Sequence, residues 1–327
     1  MVDKPRIEFI DLAKGVCILL VILGHCNVDI HLPMLGAVRM PLYFILSGLF
    51  FKDYGGWLQF AMRKTNKILV PFAFFYLVSY ALFYLIGPVW PEYIVAGKAQ
   101  GICDVWMSRQ YFNGPLWFLI CLFWTNLIFC AIAVYLRKWW LQAGAVVVLG
   151  AIGLYIGDKH IMLPCMVDAS LSALPFFYLG YMLKQTPILF PGRFDRWCLP
   201  VAAALLAGAW YVSEMSNHAY VSFHYNRAVG SVWACYAIAI SGVMGILLLC
   251  KAIGRMPWVS YIGRYSIIAL CTHHIIYRPL ALVIEQPWVV AGITLAMVTA
   301  AIPLCAKYIP QFTAQKDLIK PFKINSQ

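Results

Sequence analysis

The stretch Ile10-Asp-Leu-Ala-Lys-Gly-Val-Cys-Ile-Leu-Leu-Val-Ile-Leu-Gly-His-Cys-Asn27 decides the fold. It is long and apolar enough to span a bilayer. Yet it carries Asp11 and Lys14 at its start and His25 near its end. An ionisable residue inside a membrane span is costly, so its default reading is functional. Lys14 and His25 are separated by about three helical turns, roughly 16 Å along the axis, and return to nearly the same face. One stripe of one helix therefore holds a cation at one membrane surface and an imidazole deep in the bilayer. The competing reading has Lys14 snorkelling to the headgroups and His25 serving as a hydrogen-bonded packing residue. Asp11, three residues from Lys14, either orients it or balances its charge.

The rest of the composition agrees with a membrane protein. The 327 residues are 63% hydrophobic and 12% charged, with mean hydropathy +0.78, whereas soluble domains carry about 25% charged residues. The first apolar run is too long for a cleavable signal peptide and lacks its small-residue cleavage site, so it is expected to be a retained span. The net charge of +12 does not indicate nucleic acid, because the basic residues are scattered between apolar runs. The eleven cysteines show no CxxC pairing and mostly sit inside apolar runs, as small buried hydrophobes do.

Ten apolar runs follow, near 10–28, 34–51, 68–89, 115–135, 141–157, 170–184, 197–213, 228–250, 266–284 and 287–306. With the N-terminus inside, 18 Lys and Arg fall on the cytoplasmic side and 6 outside, Lys14 lying within the first span. This asymmetry obeys the positive-inside rule. The expectation is an all-α integral membrane protein of about ten transmembrane helices with both termini cytoplasmic. Residues 1–310 form a single polytopic domain, and 311–327 a polar, basic surface tail. The longest loops, Trp90–Gly114 and Glu214–Arg227, are assigned outside.

Several segments carry candidate chemistry. Arg39 near the outer end of the second run reads as facing a cavity near His25 or as an interfacial residue. Ser47-Gly48 reads best as a small surface for close helix packing. Arg63, Lys64 and Lys67 precede the third run and read either as a lipid-headgroup patch or as a site for nucleotide phosphates. If the segment is helical, Lys67 neighbours both Arg63 and Lys64. Asn113 and Trp117 enter the fourth run from outside, as a sugar-hydroxyl ligand and an aromatic anchor. His273 and His274 lie in the ninth run. Adjacent helical residues point about 100° apart, so the two are not expected to face one small site. A metal pair needs i,i+4 spacing, so no metal is expected.

Taken in order, these segments resemble a known family. Lys14…His25, Met40–Gly48, Arg63–Phe72, Pro115–Leu119, Leu174–Lys184 and Gly263…Ser266…His273 are similar to the motifs of the membrane-bound acyltransferase-3 family. The nearest branch is the compact one that resembles sugar O-acetylases of the fucose 4-O-acetylase type. The likeness runs nearly the full chain. Two positions depart from the larger branch: Pro41 stands where an acidic residue is common, and an apolar residue near Leu122 replaces a glutamate.

The resemblance implies an enzyme of the bacterial inner membrane that uses cytosolic acetyl-CoA. Its paired motif falls on Lys14 and His25, and its cofactor-binding basic loop on Arg63, Lys64 and Lys67. His25 is the implied catalytic residue. Asp11, Arg39, Asn113, Trp117 and His273 are candidates for the substrate cavity. The expected acceptor is a hydroxyl of a surface glycan or lipid-linked sugar. Acetyl transfer to a hydroxyl needs a base, and imidazole, titrating near ~6.5, suits the task. The other reading of the chain is a polytopic transporter of a glycan-related substrate, which predicts Gly/Pro-broken spans in matched halves.

Overall fold

The computed structural model describes residues 7–90, 106, 112–189 and 195–320. Lys4, Arg6, Lys98, Arg109, Arg193 and Lys323 of the charge count, and residues 321–327 of the tail, lie outside the described residues. The architecture is all-α. Among the described residues, the α-helices are α1 Glu8–His25, α2 Met34–Leu49, α3 Trp57–Lys64, α4 Val70–Ile86, α5 Trp117–Tyr135, α6 Trp139–Asp158, α7 Val167–Leu183, α8 Cys198–Met215, α9 Val232–Ile253, α10 Pro257–Arg264, α11 Ser266–Val283 and α12 Pro287–Tyr308.

Among the described residues, eight helical segments are long and apolar enough to cross a membrane. α1 and α2 bring the apolar helices to ten. α1 carries Glu8, Asp11 and Lys14, and α2 has 16 residues. Eight of the ten expected runs are thus helices long enough to cross, and the chain is a multi-pass membrane protein. The fifth and sixth runs become α6 and a 20-residue segment from Pro164 to Leu183.

α1 lies at the centre. Phe9, Ile10, Leu12, Ala13, Cys17, Ile18, Val21 and Ile22 are buried, and Val16, Leu19, Leu20 and Leu23 form a half-buried stripe. It meets α10 backbone to backbone. A Cβ on Gly15 would overlap the Val259 carbonyl, and one on Gly263 would overlap the Asp11 carbonyl. α2 and α7 meet the same way. A Cβ on Gly48 would overlap the Phe177 carbonyl, and one on Gly180 the Ile45 carbonyl. Lipid supplies no hydrophobic drive for helix association, so close backbone approach through small residues takes over. The packing reading of Gly48 holds.

Three features differ from the sequence expectation. The third run begins at Trp57, because α3 and α4 are joined by a π-helical turn, Thr65–Leu69, into one helical segment of 30 residues. The loop after α8 forms a small antiparallel hairpin, β1 Tyr220–Ser222 and β2 Arg227–Val229. Asn226 at its turn pins it to the bundle. Ser172 on α7 donates to its Oδ1 at 2.6 Å, and its Nδ2 donates to the Gly153 carbonyl of α6 at 2.9 Å. Finally, the start of the tail folds back on the π-turn. Phe312 stacks on Phe74, with ring centroids 4.4 Å apart.

The glycine contacts give a signed test. Gly48→Val should destabilise the protein by about 1–3 kcal/mol, because α2 and α7 must separate. Gly144, in α6, has no atom within 4 Å of an added Cβ. Gly144→Ala should leave stability equal or raise it by up to ~1 kcal/mol, the helix preference of alanine over glycine. Thermal unfolding in detergent reads both.

Candidate active site

Two cavities lie along α1, one at each end of its polar stripe. The first, of about 210 Å³, is lined by Lys14, Lys64, Tyr43, Ser47 and Ser266 among others. The second, of about 230 Å³, is lined by His25, Arg39, Trp117, Tyr220 and His224 among others. Phe118 and Leu270 line both cavities, forming a common wall between them.

At the Lys14 end, local structure sorts the basic loop. Lys14 Nζ stands 5.4 Å from the Phe50 ring, and Lys64 Nζ 5.2 Å from the Phe60 ring. The Lys14 carbonyl accepts the Tyr43 hydroxyl at 3.3 Å. Ser47 and Asn126 share a hydrogen bond, Nδ2 to Oγ, at 3.2 Å. Arg63 and Lys67 do not join this cavity. The exposed Arg63 guanidinium lies 4.4 Å over the Tyr54 ring. Lys67 is an ion-pair partner of Asp317 at 3.0 Å and donates to the Ala314 carbonyl at 2.9 Å. The physical reason is the π-turn, whose extra residue per turn turns Lys67 away from the α-helical register of Arg63 and Lys64. Asp11 is 7% exposed, buried where α1 meets α10, and lines neither cavity.

At the other end, Arg39 reaches the His25 cavity across Gly24, where a Cβ would overlap its Nη1. Its Nη1 donates to the Leu20 carbonyl at 3.2 Å, and its own carbonyl accepts the Cys17 thiol at 2.9 Å. Among the described residues no carboxylate lines this cavity. Trp117 stacks on His224 with centroids 5.6 Å apart and planes 27° apart. Asn113 is fully buried and lines neither cavity. Its Nδ2 donates to the Cys271 carbonyl at 2.7 Å, which ties the start of α5 to α11.

His273 and His274 do not both line the cavity, in keeping with their divergence of about 100°, yet they meet on His25. Both flank His25, with ring centroids at 5.3 Å and 6.1 Å, and Tyr277 joins them at 6.0 Å. Side chains 100° apart on α11 still clasp a single ring that sits across the groove between them. Neither lines the cavity itself. Sequence reasoning missed His224 and Tyr220, which reach the site only through the hairpin. No local pattern marked them in what read as an outer loop. Among the described residues, no group of three His, Cys, Asp or Glu could hold a metal ion.

A lysine-lined cavity and an imidazole-lined cavity back to back in a membrane bundle fit group transfer between two substrates. The acyltransferase-3 family, described as an acyltransferase domain, matches residues 7–306. The chain belongs to that family. No curated protein and no solved structure shows a significant match. The match includes the residues that line both cavities.

The docked tail borders the Lys64 side of the site through one buried amide. Asn66 Oδ1 accepts the backbone N–H groups of Leu318 and Ile319 at 2.9 and 2.8 Å, and its Nδ2 donates to the Ile319 carbonyl at 2.8 Å. Asn66→Ala should release this segment at a cost of about 1–3 kcal/mol. Limited proteolysis should then cut near residues 312–320 much faster than in the parent.

Proposed function

We propose that this acyltransferase is an O-acetyltransferase of the bacterial inner membrane. It moves an acetyl group from cytosolic acetyl-CoA to a hydroxyl of a surface glycan or lipid-linked sugar. The observation that carries this reading is the common wall of Phe118 and Leu270 between the Lys14–Lys64 cavity and the His25 cavity. Two cations held together suit the diphosphate of a nucleotide cofactor. From there a pantetheine arm would pass the Phe118–Leu270 wall, which must open for the thioester to reach His25. Arg63, exposed on the same loop, suits a more remote phosphate. Lys67 contributes less, because Asp317 already neutralises it. Both termini then face the cytoplasm, in keeping with the asymmetry of basic residues.

The chemistry follows from the groups present. A neutral His25 imidazole takes the proton of the acceptor hydroxyl as its oxygen attacks the thioester carbonyl carbon. The C–O bond forms, and the tetrahedral oxyanion develops beside the Arg39 guanidinium, which is always charged and supplies donors. The C–S bond then breaks. The departing sulfur takes the proton from the imidazolium, leaving an acetyl ester and free CoA. The stacked Trp117–His224 pair offers a flat face for a sugar ring.

Three measurements test this. In membranes or detergent, His25→Ala should lower acetyl transfer about 10²–10⁴-fold while acetyl-CoA binding is kept. Near-normal turnover by a folded His25→Ala enzyme would rule out the general base. Because the base must be neutral, the parent's rate should fall on the acid side of an imidazole titration and level off above it. Lys64→Ala should raise the acetyl-CoA KM roughly ten- to a hundredfold, the worth of a charge-assisted hydrogen bond, and Lys67→Ala much less. Equal effects of the two would remove the lysine cavity from the cofactor site.

A further inference from the structure

His273 sits on α11 with no solvent exposure. Its Nδ1 lies 2.9 Å from the carbonyl of Ala269, one turn earlier. A carbonyl can only accept, so Nδ1 carries the proton in the neutral ring. Nε2 is then a bare lone pair. It is buried and has no hydrogen-bond partner among the described residues. An acceptor left in that state costs about 1–3 kcal/mol, so its retention points to an occupant.

The neighbouring donor is His25, whose half-buried ring lies 5.3 Å from that of His273, with planes 45° apart. Two imidazoles joined by an N–H···N bond of about 3 Å have centroids roughly 5 Å apart. The 5.3 Å separation matches that of such a bond. His274 stands edge-on to His25, with planes 86° apart. An added Cβ on Gly114 would lie 3.4 Å from His274 Nε2, so that nitrogen faces the start of α5.

We propose that His273 is the positioning residue of His25: its Nε2 accepts an N–H of His25, and this bond fixes the tautomer that aims the other His25 nitrogen, as a lone pair, into the cavity. The chain of contacts runs from the Ala269 carbonyl through His273 to His25 and on to the acceptor hydroxyl. It does the work of the carboxylate in a Ser-His-Asp triad, which holds its histidine in one tautomer and steadies the imidazolium. Here the orienting group is neutral. A second imidazole suits a membrane interior, where a fixed carboxylate charge costs more.

The inference rests on the general-base reading of His25, and its test separates the two. His273→Leu keeps the bulk and removes the lone pair. His273→Gln keeps an acceptor, Oε1, close to the place of Nε2. His273→Leu should lower kcat about a hundredfold, the low end of what the base itself supplies, with both KM values unchanged. His273→Gln should recover most of that loss. The acid limb of the rate profile should move in His273→Leu. The groups facing His25 that could also move it are His273, His274 and Tyr277 from α11, Arg39 from α2 and His224 from the hairpin. The last four are unchanged in these variants.

Equal loss in the leucine and glutamine variants, or parent-level kcat in the leucine variant, overturns the proposal. An active His25→Ala enzyme sinks the general-base reading instead, whatever His273 does. Should the variants fail to fold, the parent decides alone. With ¹⁵N-labelled histidine, nitrogen–nitrogen coupling across the His25–His273 bond is expected, and its absence refutes the bond.

Discussion

The backbone contact between α1 and α10 sets the geometry on which the site depends. Gly15 and Gly263 let the two chains touch without intervening side chains. From that contact α1 rises ten residues to His25, and the chain from Gly263 rises ten residues, through the break at Tyr265, to His273. Each path covers about 15 Å if it is helical. The two paths end with the imidazole rings 5.3 Å apart. A side chain at either glycine would push the helices apart where they are closest and shift the register of the pair.

The polar groups of this bundle follow the cost of burying charge. Permanently charged residues stand near the helix ends: Lys14 and Lys64 at one cavity, Arg39 at the other. The titratable groups gathered between α1 and α11 include the half-buried His25 and the buried His273 and His274. Imidazole is neutral in a large part of the physiological range, so it is cheaper to hold in an apolar bundle than carboxylate or ammonium. The same property makes it a base at neutral pH. On the general-base proposal, what the membrane tolerates and what the transfer uses are the same property of imidazole.

Polar residues off the reaction path brace the site. Asn113 ties the start of α5 to the α11 backbone beside the histidines. Asn226 ties the hairpin to α6 and α7 and so keeps His224 over Trp117. Asn66 holds the returning tail against the π-turn next to Lys64. Each amide satisfies backbone groups that lipid cannot hydrate, and each joins segments far apart in the chain. Loops and tail are thereby made part of the bundle.

The sequence by itself determined what depends on one segment at a time. The ten apolar runs, their order, and the placing of Lys14 and His25 on one face follow from hydropathy and from the fixed rise and turn of a helix. Gly48 could be read as a packing glycine for the same reason. The tertiary structure alone decided which residues meet. The π-turn split Lys64 from Lys67, which an α-helical register had kept together. The hairpin delivered His224, which no motif marked. His273 and His274 both came to His25, because the angle between neighbours on α11 says nothing about where a ring from α1 will lie between them. Spacing along a helix is set by covalent geometry and can be counted. Contact between helices depends on where glycines allow close approach, and that appears only once the whole bundle is packed.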